Sequence, residues 1–157
     1  MRPGNNYMSD GLLNISERVT LAYHALGIIA ACNGDLVPVG RIAQAMPVSA
    51  LYLAKVLQPL ARKRIVVSKR GPTGGYALLK NPEDISLYDL VLFYEGALPK
   101  GGCLFAHRFC TGNDCAFQEL NADVRAKMEE ELRKITVKRI GKNLSRRGGK
   151  PGYHNIT

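Results

Sequence analysis

Two short runs of β-forming residues, Ile65-Val66-Val67-Ser68 and Tyr76-Ala77-Leu78-Leu79, enclose a turn of Lys69-Arg70-Gly71-Pro72-Thr73-Gly74-Gly75. Glycine and proline packed this densely between β-rich segments predict a hairpin, because they supply the conformations of a reversal and interrupt a strand. Three helical segments precede it. Residues 15–32 place Ile15, Val19, Ala22, Leu26 and Ile29 on one stripe, and Asn33-Gly34 follows as a left-handed stop. Residues 39–46 read as a short second helix that Pro47 cannot continue. Ser49 then caps a third helix over residues 50–63, with Leu53, Val56, Leu57 and Leu60 facing inward. Pro59 lies inside it and predicts a bend, leaving residues 49–56 as the forward part. The fold class is mainly α with a small β-hairpin. A helix pair joined by a tight turn and followed by a hairpin makes a winged helix-turn-helix, whose second helix enters a major groove.

Charge is distributed to match. No acidic residue occurs between Asp35 and Glu83, whereas Arg41, Lys55, Arg62, Lys63, Arg64, Lys69, Arg70 and Lys80 are basic. Acids vanish again after Glu131, where Arg133, Lys134, Lys138, Arg139, Lys142, Arg146, Arg147 and Lys150 follow. Two basic blocks flanking an acidic one read as two surfaces facing a polyanion, with a merely solvated basic face as the alternative. At the hairpin tip, glycines let the backbone approach a phosphate and Arg70 supplies the counter-charge. The expected DNA contacts are Ser49, Tyr52, Lys55, Arg70, Gly71, Gly74 and Gly75.

Ser86, with Asp89 three residues on, caps a further helix that ends at Gly96. An irregular cysteine-bearing loop occupies residues 97–116. Phe117, Leu120, Val124, Met128, Leu132 and Ile135 then recur every three or four residues. This predicts one long helix over 117–144 whose apolar stripe is a dimer seam, packs on its own domain, or does both. The organisation expected is a DNA-binding domain over 11–96, the loop, the dimerisation helix, and a flexible basic tail over 145–157. The N-terminus lacks the apolar stretch of a signal peptide, and no apolar run is long enough to span a membrane. A cytoplasmic location, where thiols stay reduced, is expected.

Cys103, Cys110 and Cys115 form a C-x6-C-x4-C pattern. Three thiols this close in a reducing compartment point to a metal or cluster site more than to disulfides. A redox thiol switch, a zinc site and unligated cysteines remain open on spacing alone. Cys32, closing the first apolar stripe, reads as a buried structural thiol.

The strings Tyr52-Leu53-Ala54-Lys55-Val56-Leu57, Arg70-Gly71-Pro72-Thr73-Gly74-Gly75-Tyr76 and Asn81-Pro82-Glu83-Asp84-Ile85-Ser86 together resemble the Rrf-type family of bacterial transcriptional regulators. The resemblance covers about residues 13–142, and the wing ending in Tyr76 is its most specific element. It implies a homodimer on a palindromic double-stranded operator, read here as a repressor. It also implies an iron–sulfur cluster, 2Fe-2S or 4Fe-4S, held by Cys103, Cys110 and Cys115. The fourth ligand stays open. His107 could close a Cys3His site equally suited to zinc. Where some relatives use an acidic residue of the partner's first helix, this chain has Arg18 with Glu17 beside it. Some members carry Tyr-Leu-Glu at the recognition helix. Ala54 replaces that glutamate here and cannot accept from a cytosine amino group.

Two other classes fit less well. No Gly-rich nucleotide loop, nucleophile elbow or clustered carboxylate pair points to an enzyme. A basic RNA-binding factor would be expected to present aromatic stacking platforms, and the seven Tyr and four Phe are scattered.

Overall fold

The structure, a computed structural model, describes residues 15–46, 48–98 and 118–146. Helix α1 (Glu17–Ala31) is followed by Asn33 and Gly34 at φ 51° and 97°. Then come α2 (Val39–Ala43) and α3 (Ala50–Arg62). Strands β1 (Val66–Lys69) and β2 (Gly75–Leu78) pair antiparallel, with Val66 opposite Leu78 and Lys69 opposite Gly75. A single 3-10 turn (Pro82–Asp84) leads to α4 (Leu87–Glu95), and α5 (Gln118–Lys134) and α6 (Val137–Arg146) complete the chain.

Local chemistry sets several boundaries as expected. The Ser49 hydroxyl accepts from the Tyr52 N–H at 3.2 Å. Ser86 and Asp89 close a full capping box, and α4 stops at Gly96 with φ 76°. Helix α3 continues through Pro59 to Arg62. The second helix is shorter than the expected 39–46, since turns take over after Ala43.

Two expectations change. Helix α1 buries more than the one stripe: Leu21, Tyr23, Ala25 and Gly27 are also buried, so the helix runs through the middle of the domain. Its second flank is covered by α6, which fits only because Gly27 has no side chain. A Cβ there would stand 2.4 Å from an Ile140 methyl carbon.

The single long helix expected over 117–144 is instead two helices, broken at Ile135 and Thr136. The break is held from a distance. Leu87 N–H donates to the Ile135 carbonyl at 2.8 Å and Val137 N–H to the Ile85 carbonyl at 2.9 Å, so Ser86 and Thr136 form a bridge. The Tyr23 hydroxyl donates to the Thr136 carbonyl at 3.1 Å. Leu132 and Val137, at 3% and 0% exposure, therefore join the core made by α1, α3 and α4. The apolar stripe of α5 is graded: Leu132 is buried, Met128 half-buried, and Val124 and Leu120 exposed. Phe117 and the tail from Arg147 onward lie outside the described residues.

Candidate nucleic-acid interface

Helix α3 buries Leu53, Val56, Leu57 and Leu60, which fixes the opposite face outward. Leu51, Ala54, Lys55 and Gln58, at intervals of three and four, make one wall of an open cleft of about 460 Å³. Pro38, Val39 and Gly40 close one end, and the hairpin forms the other wall with Ser68, Lys69, Arg70, Gly71, Pro72, Gly74, Gly75 and Tyr76. Five of the seven expected contact residues thus meet in one place: Lys55, Arg70, Gly71, Gly74 and Gly75. Ser49 and Tyr52 do not line the cleft. Ser49 is exposed at the N-cap of α3, and Tyr52 is exposed in the first turn.

One bridge helps to position the hairpin. Val37, between α1 and α2, exchanges two backbone hydrogen bonds with Tyr76, each 2.9 Å. Gly75 makes this possible, because a Cβ there would lie 2.5 Å from the Val37 carbonyl oxygen. A Cβ on Gly74 would lie 2.2 Å from the Lys69 carbonyl oxygen. The missing side chains of Gly74 and Gly75 are therefore required by the fold itself, before any phosphate is considered. Gly71, at φ 109° with open space around it, is the glycine that leaves room outside.

The recognition helix is tied down from behind. The Tyr94 hydroxyl of α4 donates to the Val56 carbonyl at 2.7 Å, and burial pushes the Tyr94 pKa well above the usual phenol range, keeping it a donor. This anchor was not anticipated. Its signal in the sequence is a lone tyrosine at the end of an amphipathic helix, which names no partner. Leu51, Gln58 and Lys69 were also missed, although the helical repeat from Lys55 reaches the first two.

The two basic blocks differ once folded. Among the described residues no carboxylate pairs with Lys55, Lys69 or Arg70. In the second block, Arg133 pairs with Glu129 at 2.7 Å, Lys134 with Glu130 and Glu131, and Lys138 with Glu83 across the fold. Glu130 is held down to about 2 by Lys134 first and Lys127 second. The C-terminal block is therefore largely self-neutralised at its start, whereas the cations lining the cleft stand without acids.

Cys103, His107, Cys110 and Cys115 lie outside the described residues. Among the described residues no three His, Cys, Asp or Glu side chains gather into a metal site. Cys32, expected to be buried, is half-buried at the C-cap of α1 and packs against the core as a free thiol. Glu17 is exposed in the first turn of α1. Next to it, the Ser16 N–H donates to Glu95 Oε1 at 2.8 Å, which ties the start of α1 to the end of α4.

An outward-facing helix set against a basic hairpin, on a helix-turn-helix support, defines a winged-helix DNA-binding protein. The chain belongs to the Rrf2 family, described as an iron-dependent transcriptional regulator, whose model matches residues 15–143. It is 28% identical over 126 residues to an Aquifex aeolicus protein assigned as an HTH-type transcriptional regulator, a match covering 78% of this chain and 88% of that one. It is 28% identical over 108 residues to IscR, an HTH-type transcriptional regulator of Pectobacterium atrosepticum, covering 68% and 65%. Its fold is similar to that of CymR, the global cysteine regulator of B. subtilis, with a TM-score of 0.66, 25% identity, and coverage of 84% and 98%. It is a DNA-binding transcriptional regulator and not an enzyme. No helix among the described residues is long and apolar enough to cross a membrane.

Proposed function

We propose that the chain acts in the cytoplasm as a homodimeric repressor on a palindromic operator, and that the cysteines of residues 97–116 adjust its affinity by holding an iron–sulfur cluster. One observation carries the DNA geometry: the outward wall of α3 and the basic hairpin face each other across a cleft with unpaired cations on both sides. In this reading Lys55 and Tyr52 meet base edges, and Ser49 and its helix start meet the adjoining backbone. Arg70 and the turn of Gly71, Gly74 and Gly75 meet flanking phosphates. Residues 11–96 form the DNA-binding unit, and the front half of α5 pairs two copies. Leu120 and Val124, exposed at 51% and 42%, support that pairing.

Cluster binding is supported by donor chemistry and by the family's description as iron-dependent. Three thiolates within thirteen residues fit iron–sulfur or zinc ligation. His107 in the same segment, or Glu17, is the candidate fourth ligand. As in the relatives that the resemblance draws on, Glu17 would reach the site from the first helix of the other subunit. When bound, a cluster supplies a centre whose charge and integrity respond to oxidants, nitric oxide and iron supply. The chain's own part is mechanical. The cysteines lie between Leu98, buried at 4%, and α5, so gathering or releasing them changes how α5 sits against the domain and how far apart two α3 helices stand.

Substitutions on the two walls should fail differently. Tyr52→Ala and Lys55→Ala should change which sequences a random duplex library yields, with about 1–3 kcal/mol less discrimination at the affected positions. Arg70→Ala should weaken all duplexes alike and lower the salt slope by about one per subunit. Binding that is unchanged for every sequence in Arg70→Ala would remove the hairpin from the interface.

A further inference from the structure

We infer that Leu51 is a specificity residue of the recognition helix, reading the 5-methyl group of a thymine in the major groove. This rests on the DNA-binding geometry proposed above and goes beyond its polar contacts. Leu51 is 72% exposed, the most exposed large hydrophobic side chain among the described residues. It is the second residue of α3, so it stands at the forward end that a recognition helix presents to base edges. It lines the same cleft as Lys55, Gln58, Lys69 and Arg70. An apolar side chain placed among unpaired cations has no folding role, since the core side of α3 is already filled by Leu53, Val56, Leu57 and Leu60.

The neighbouring position points the same way. Ala54, one turn on, lines the cleft beside Leu51. Leu51 and Ala54 therefore offer two hydrocarbon surfaces on the wall that also carries Lys55 and Gln58. Of the groups exposed in a major groove, only the thymine methyl is apolar, and it is matched by apolar contact. Lys55 and Gln58 on the same wall provide the polar half of the reading. A thymine is thus expected next to the base pairs that those two residues contact.

The experiment uses full-length wild-type protein and the duplex it enriches most strongly from a random library. Each thymine of that duplex is replaced in turn by deoxyuridine, which removes the methyl group and leaves the pairing edge unchanged. Wild-type protein should lose about fourfold in affinity at one symmetry-related thymine pair per lost methyl contact. Leu51→Ala should bind the parent duplex more weakly and be indifferent to that replacement, while keeping the wild-type melting temperature and the wild-type salt slope. Wild-type protein that enriches a duplex but ignores every replacement overturns the assignment and leaves the DNA-binding geometry standing. So does Leu51→Ala that still pays the wild-type penalty at the same thymine. Wild-type protein that enriches no duplex overturns both.

Discussion

Alanine in place of Cys103, Cys110 or Cys115 should each leave anaerobically purified protein without its visible chromophore and with little iron, while Cys32→Ala keeps both. The three share one short segment, and removing any thiolate exposes iron that the remaining ligands cannot cover. Cys32 is at the far end of α1 from Glu17, half-buried against the core, so its loss should cost about 1 kcal/mol of packing and nothing in cluster content. His107→Ala and Glu17→Ala separate the fourth-ligand candidates, since only a ligating side chain shifts the absorption spectrum. Zinc without iron in the wild type would replace the cluster by a Cys3His site. Protein free of both metals with a reversible disulfide would replace it by a thiol switch. A full iron complement in Cys110→Ala would overturn the three-cysteine assignment.

Gly75→Ala should be among the most damaging single changes in the DNA-binding unit. The added methyl carbon would stand 2.5 Å from the Val37 carbonyl oxygen, 2.6 Å from its carbon and 2.9 Å from Pro38 nitrogen, all backbone atoms that cannot swing aside. Relief requires opening the bridge between Val37 and Tyr76, losing two hydrogen bonds beside the 1%-exposed Val37 side chain. Overpacking at roughly 1–3 kcal/mol and two bonds at roughly 0.5–1.5 each give a loss of about 3 kcal/mol. A domain of this size should then melt about 6–12 °C lower. DNA affinity should fall with it at temperatures where the protein is still folded, because the bridge joins the hairpin to Val37, next to the end of the cleft that Pro38, Val39 and Gly40 close. Gly40→Ala is the control: it has open space around it and sits in α2, so stability should be unchanged or slightly raised. Equal melting temperatures for Gly75→Ala and Gly40→Ala would contradict this role for the bridge.

Where folding signals are local, the sequence announced them. Ser49 and Ser86 carry their caps within three residues, Gly96 marks its helix end, and the turn of residues 69–75 sits between its own strands. What was hidden is imposed from afar. Ile135, Val137 and Ile140 nearly maintain a helical spacing, so nothing local announces the break that Ile85 and Leu87 force on residues 135–137. Burial of α1 on several sides was likewise invisible in a one-stripe reading, although Gly27 in mid-helix marks the close approach of α6. At the interface, Lys55 and Arg70 were legible from charge and position. Leu51 was within reach of the helical repeat from Lys55, but an apolar side chain on a basic face carries no charge to mark it as a contact. The sequence matched Gly75 to a phosphate and did not announce its part in the fold, where the atoms nearest a Cβ would be the chain's own Val37 and Pro38 backbone.

The most direct measurement of the central claim, that the cleft between α3 and the hairpin holds duplex DNA through unpaired cations, is operator affinity across a salt series. Lys69 and Arg70 in each of two subunits offer four phosphate contacts, so the log–log slope should be about −4. Arg133, Lys134 and Lys138, already paired with acids, should add little, and replacing them with alanine should leave the slope nearly unchanged. A flat dependence on salt in the wild type, or a slope lost with Arg133, Lys134 and Lys138 and kept without Lys55, Lys69 and Arg70, would contradict it.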